Sequence, residues 1–254
     1  MNKCRLCGLI KPLLDSHSIP NSYFKAIFRK NNGKGVLLSA HDDPNHKSSN
    51  SGDWKLLCKE CEQEINTGCE KYVINKFRYK RGAIESSHSI RFSNVDCAKI
   101  VRFCVAILWR ASISPADLFR GFKLDGQLES IFKNYLKSNS NNIDEKLFSI
   151  YIYKLFDPKD VLNKFDSSFI MAPVTHNRKD FDLHQFVVEG FLFNISTPSL
   201  RHKDRNNINL IKSNHDFIIS PRRSWFEEKE LVKFLAASVH REQSKRELEA
   251  LKSN

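Results

Sequence analysis

The sequence predicts an α+β protein, and three observations carry that expectation. Two C-x-x-C pairs flank a turn-rich stretch within the first eighty residues. A long apolar pattern of helical period covers about residues 94–142. Short β-branched and aromatic runs then fill about 146–214, ahead of a terminal helix. The 254 residues suffice for one large core or two modest ones, and the expected division is 1–82 and 83–254. With 41% hydrophobic and 11% aromatic residues, 19 of them Phe, the composition is that of a globular chain and excludes a disordered one.

The first segment ends in a helical stretch from Cys61 to Arg78, whose Ile65, Cys69, Val73 and Phe77 recur at four-residue spacing on one face. Before it runs a polar stretch, Ser39 to Asp53, read as a functional loop because nothing in it is periodic. In the second segment Ile100, Cys104, Ile107, Leu108 and Ala111 form an apolar stripe thickened by Val101, Val105 and Trp109, which predicts a buried helix. Pro115 stops it, and a second helix is expected over Leu128–Leu136. Strands are expected over Phe148–Phe156, Phe169–Val174, Gln185–Ser196 and Ile208–Ile211. Ser224 with Glu227 forms a capping box ahead of Leu231, Val232, Phe234, Leu235 and Val239, so a helix closes the chain and projects as a charged rod beyond His240.

The seven cysteines are an odd number, and four lie as Cys4 with Cys7 and Cys58 with Cys61. C-x-x-C lets two thiolates of one tight turn reach the same ion, so two such pairs predict one structural zinc site. Gly8 suits the turn after the first pair, and the second pair opens directly into the helical stretch, the usual entry of a treble clef. Cys69, Cys97 and Cys104 fall on apolar helix faces and read as small core residues.

The formal charge of +12 favours an acidic polymer as partner, nucleic acid before an anionic membrane surface. Lys25, Arg29 and Lys30, and further on Lys76 and Arg78, are interleaved with aromatics and read as phosphate-contacting residues, with a solvated helix face as the alternative. The N-terminus lacks the apolar core of a signal peptide, and the most apolar run, 103–109, is far too short to span a bilayer. A cytoplasmic protein without a membrane partner is therefore expected. Nine glycines, with no phosphate-cradling loop and no nucleophile elbow, argue against a nucleotide-binding or α/β-hydrolase function.

Between the cysteine pairs lie Ser16-His17-Ser18-Ile19-Pro20 and Asp53-Trp54-Lys55-Leu56-Leu57-Cys58, and Glu62 follows Cys61. This order resembles the zinc-knuckle branch of the HNH, or ββα-metal, endonucleases over roughly the first eighty residues. The resemblance implies a ββα-metal module in which His17 is the general base that activates water, a role suited to an imidazole near neutral pH. It also implies a catalytic Mg²⁺ or Mn²⁺ beside the structural zinc, a DNA or RNA substrate with DNA favoured, and a setting in bacterial or phage defence. Three positions depart from the family pattern: Ser16 stands at a usual metal-ligand position, Asp53 at the middle Asn and Glu62 at the closing His or Asn. Glu62 keeps a hard oxygen for the ion, Glu70 two turns on shares its face, and Asp53 orients or ligates. His41, Asp42, Asp43 and His46 are further candidates. A second resemblance, to bacterial proteins with a Leu-Trp-Arg-Ala-Ser stretch like 108–112, extends into the helical segment and implies no activity. Residues 83–254 are expected to serve recognition, assembly through a protein partner or homodimer, or sensing. The alternative from another class is a non-catalytic zinc module that binds nucleic acid or protein.

Overall fold

The structure, a computed structural model, describes residues 2–30, 32–33, 35–39, 45–48, 51–138, 143–144, 146–158, 169–201, 207–229 and 231–233. It is mixed α and β. Strands β1 (Leu13–His17) and β4 (Asp53–Cys58) form an antiparallel pair of their own, with His17 opposite Asp53 and Leu13 opposite Cys58. Helix α1 (Asn21–Lys30) follows Pro20 and buries Tyr23, Phe24 and Ile27 while its basic last turn stays exposed. Strands β2 (Gly35–Leu38) and β3 (Asn45–Ser48) come next in the chain. The segment read as a polar loop thus supplies an edge strand to a sheet, because β2 pairs with β3 on one side and with a distant strand on the other.

The helix expected over 61–78 runs as α2 (Lys59–Ile65), a π turn over Asn66–Glu70, and α3 (Lys71–Arg78). Ile65, Cys69, Val73 and Phe77 are all buried, as their spacing requires. Residues four apart drift about 40° per step on an α-helix, and one wide turn in the middle brings the stripe back toward the core.

Strands β5 (Ala83–Glu85) and β6 (Ser89–Ser93) precede helix α4 (Cys97–Ile113), which Asp96 caps by accepting from the Lys99 N–H, and α5 (Gly126–Lys137), capped by Asp125. The β-rich part holds β7 (Ser149–Phe156), β8 (Phe169–Asn177), β9 (Asp182–Val188), β10 (Phe191–Thr197) and β11 (Phe217–Ser224). The large sheet has the order β3-β2-β8-β9-β10-β7-β11-β6-β5. Gln185–Ser196, read as one strand, is a hairpin turned at Glu189 and Gly190, both at positive φ, as a two-residue turn of this hand demands. Ile208–Ile211 is not a strand; it offers one bridge, Ile211 to Ile150, while β11 was not foreseen.

Both sheet faces are buried. Phe186, Phe191 and Phe193 face the main core, where Phe103 of α4 meets them; Val187, Leu192, Met171 and Leu155 face a second cluster closed by Trp225 and Leu231. Such strands lose the in–out alternation that marks a half-exposed sheet, which is why the hairpin turn was invisible in the apolar pattern. The main core takes residues from both sides of residue 82 without interruption. Ser224 accepts from the Phe226 N–H and starts a short 3-10 turn; the projecting helix expected beyond it, with Phe234, Leu235 and Val239, lies outside the described residues, as do His41, Asp42 and Asp43. No helix among the described residues is long and apolar enough to cross a membrane.

Candidate functional site

Four sulfurs converge at the base of the β1–β4 pair. The Sγ atoms of Cys4, Cys7, Cys58 and Cys61 all lie within 4.8 Å of one another, and those of Cys7 and Cys58 are 3.9 Å apart. A tetrahedral ion with zinc–sulfur bonds near 2.3 Å separates its sulfurs by about 3.8 Å, so this cluster fits zinc. The knuckle is built locally. The Cys4 N–H bonds Leu9 O, the Gly8 N–H bonds Cys4 O, and Gly8 takes the positive φ that a side chain resists. The Cys58 N–H donates to Cys4 Sγ at 3.3 Å. Burial works against a thiolate at Cys4, but the N–H groups of Cys58, Cys7 and Leu6 outweigh it and bring the thiol down to about 7. Burial pushes Cys58 and Cys61 the other way, a cost that a bound cation would offset. Cys69, Cys97 and Cys104 are buried apart from it, as expected of core residues.

Beside the β1–β4 pair opens a cleft of about 360 Å³ between β1, α1 and the α2–α3 helix. His17, Glu62 and Glu70 line it together, joined by Asn66 and Asn75. Glu62 sits in the first turn of α2, immediately after the zinc-ligand position Cys61, and the helix repeat brings Glu70 onto its face. Sequence periodicity placed that carboxylate pair correctly and passed over Asn66, which the same four-residue spacing points to. The π turn carries both Asn66 and Glu70, and such turns recur at functional sites.

His17 is oriented from behind. Its Nε2 lies 2.9 Å from Ser51 Oγ, and Ser51 in turn donates to Asp53 Oδ1 at 3.5 Å. With the Ser51 proton directed at Asp53, the serine oxygen accepts from Nε2–H, and the imidazole lone pair rests on Nδ1. Burial lowers the His17 pKa, and the Asp53 charge opposes that shift. Asp53 thus stands behind the histidine through Ser51 and does not line the cleft. Ser16, at a position where the resembled family places a ligand, is buried and accepts from the Leu57 N–H at 3.2 Å. Asp15 faces the opposite way and pairs with Lys55 at the surface.

One residue that sequence reasoning missed dominates the electrostatics. Arg110 of α4, 1% exposed, pairs with Glu70 and stands 3.7 Å from Glu62 Oε1. Burial alone would make Arg110 easier to deprotonate; Glu70 and Glu62 reverse that and raise its pKa. Burial raises the Glu62 pKa, opposed by the Arg110 charge and the Ser16 hydroxyl, and Glu62 Oε2 is buried without a hydrogen-bond partner. An arginine inside an otherwise apolar helix must find a counter-charge, and that signal stood in the sequence. Two carboxylates face one guanidinium there, and Lys71 lines the same cleft. Among the described residues, the four cysteines are the only group of three or more potential ligands whose donor atoms converge at metal distance. His17, Glu62 and Glu70 share a cleft without meeting that tightly.

The basic residues divide. Lys25, Arg29 and Lys30 are exposed on α1. Lys76 donates to the carbonyls of Ser93 and Asn94, and Arg78 pairs with Glu189 at 2.6 Å, bonds Ser22 O and lies over the Tyr23 ring, so these two hold the fold together. His46 belongs to β3, across the large sheet's edge. Compared with protein-family models, curated proteins and solved structures, the chain matches none.

Proposed function

We propose that this chain is a metal-dependent, HNH-like endonuclease that hydrolyses phosphodiester bonds of nucleic acid, in the manner of the ββα-metal nucleases its first eighty residues resemble. The observation that carries the reading is the shared cleft of His17 and Glu62, on strand and helix that meet at the four-cysteine cluster. His17 takes a proton from the attacking water at Nδ1, with Nε2 held by Ser51 and, behind it, Asp53. The oxygen attacks phosphorus, the bond to the leaving oxygen breaks, and that oxygen takes its proton from solvent water. Glu62 and Glu70 offer the hard oxygens that Mg²⁺ or Mn²⁺ takes, and an ion there would supply charge stabilisation at the phosphate. The unpartnered Glu62 Oε2 fits a cation. A protein acting on nucleic acid in the cytoplasm, in bacterial or phage defence, is consistent with the +12 charge.

The contact of Arg110 with both carboxylates favours a second reading, a zinc-dependent binding module without catalysis, because a guanidinium already answers most of the charge a metal would answer. Incubating zinc-loaded protein with plasmid DNA or structured RNA in Mg²⁺, Mn²⁺ or EDTA, beside His17→Ala, separates the two. Metal-dependent cleavage lost by at least 100-fold in the variant is the expected result. Equal, salt-sensitive binding by both proteins with no cleavage selects the binding module.

A further inference from the structure

A second cleft, of about 400 Å³, opens where the C-terminal ends of α1 and α3 meet β7 and the β9–β10 turn. Arg29, Lys30, Lys80 and Lys154 line it, together with the Arg78–Glu189 pair. The carbonyl ends of two helices oppose an anion by about half a charge each. Five cations facing one carboxylate leave the cleft positive nonetheless. Arg29 and Lys30 stand exposed in the last turn of α1, while Lys80 shares its charge with Glu85 at 2.7 Å.

The placement relative to the His17 cleft gives this one its meaning. Both clefts are walled by the same two helices: Asn21 and Asn75 belong to the first, Lys30 and Tyr79 to the second. Arg78 lies between, lining the second cleft while bonding the carbonyl of Ser22, which lines the first. The nine helical steps from Asn21 to Lys30 span about 14 Å, roughly four nucleotides of stacked strand at 3.4 Å each. We propose that the second cleft is a phosphate subsite that grips the backbone of the strand cut beside His17, a few nucleotides from the scissile bond. The His17 cleft would take the cation and the reacting phosphate, and the basic cleft would supply sequence-independent grip. This subsite rests on the nuclease reading for its substrate.

The test measures binding in EDTA, by fluorescence anisotropy, of a labelled single-stranded 12-mer and a labelled dinucleotide to the zinc-loaded full chain. The variants are Arg29→Glu with Lys30→Glu, and a charge-matched control, Lys137→Glu with Lys179→Glu, at exposed positions away from both clefts. The expected result is at least tenfold weaker 12-mer binding by the first variant only, with dinucleotide binding unchanged. The slope of log affinity against log salt should fall by about 1.4, two phosphates at about 0.7 each. Equal effects of the two variants, or none, overturn the subsite even if His17-dependent cleavage is intact. Selective loss of 12-mer binding, with no cleavage by the unaltered protein in any metal, supports the phosphate site and overturns the hydrolytic reading alone.

Discussion

Two histidines, one in the sheet and one on the hairpin, show what separates a structural group from a chemical one. His184 of β9 is 2% exposed, with Thr175 Oγ1 at 2.9 Å from Nδ1, Thr197 Oγ1 at 2.8 Å from Nε2 and the edge of Phe122 against the ring. Burial lowers its pKa to about 4. Burial also lowers that of His17, yet only the Nε2 of His17 is taken up, by Ser51, and the ring borders a cleft containing two carboxylates. The shift has the same direction and cause in both. His17 borders a cleft with one ring nitrogen engaged, and the sheet histidine has both ring nitrogens answered.

The contrast extends along α4, where Arg102 and Arg110 both lie buried. Arg102 donates to the carbonyls of Tyr135, Leu136 and Ser138 and so closes the C-terminal end of α5. Arg110 turns to the cleft and its carboxylates. Two arginines of one helix thus serve, respectively, the scaffold and the site.

The comparison breaks most severely on removal of zinc. Apparent zinc binding energies in small metal modules, about 10–16 kcal/mol, match or exceed the whole stability of a domain. Stripping the ion, or Cys58→Ser, should therefore expose the β1–β4 amides to hydrogen exchange while those of β7–β10 stay protected. Exchange measured by mass spectrometry on both regions checks this, and equal loss in both would mean that the hairpin and the sheet unfold as one unit.

Next in size is Arg110→Met, which leaves Glu70 buried without its counter-charge and should cost about 3–5 kcal/mol in urea unfolding. The double change Arg110→Met with Glu70→Met should recover most of that loss, since a buried pair replaced by apolar groups is often neutral. Failure to recover would place other groups in the network.

The smallest expected effect belongs to His184. Its folded pKa is lowered from an ordinary value near 6.5, so the unfolded chain binds the proton more readily. The stability it contributes is complete above about pH 6.5 and is lost as pH falls toward 4. Between pH 7 and pH 5 the loss should reach about 2 kcal/mol, and His184→Gln should remove that part of the pH dependence. An unchanged slope in the Gln variant would assign the titration to another group.

Much of this was legible in the sequence. The two C-x-x-C pairs named the four-cysteine cluster that could hold zinc, because ligand spacing within a tight turn is a local property. Glu62 and Glu70 were placed on one face by helix repeat, and Asp15 was turned away from Ser16 by strand alternation, again from local geometry. The strands of residues 35–48, the hairpin within 185–196 and β11 were not legible. β2 and β11 depend on partners far away in sequence, and in the 185–196 hairpin burial on both faces removes the alternation that would announce the turn. Lys76 and Arg78 looked like Lys25, Arg29 and Lys30 as charges in a row; only the fold brought Ser93, Asn94 and Glu189 to them.

By itself, then, the sequence determined the local chemistry: which residues can hold zinc, which histidine and carboxylates stand near them, and which stretches coil into amphipathic helices. Tertiary structure alone decided that Arg110, forty residues beyond Glu70, becomes its buried counter-charge. It alone decided that α1 and α3 wall both clefts. Periodicity and ligand spacing act over a few residues, whereas a buried charge takes its partner from whichever element packs against it, and that choice is made by the fold as a whole.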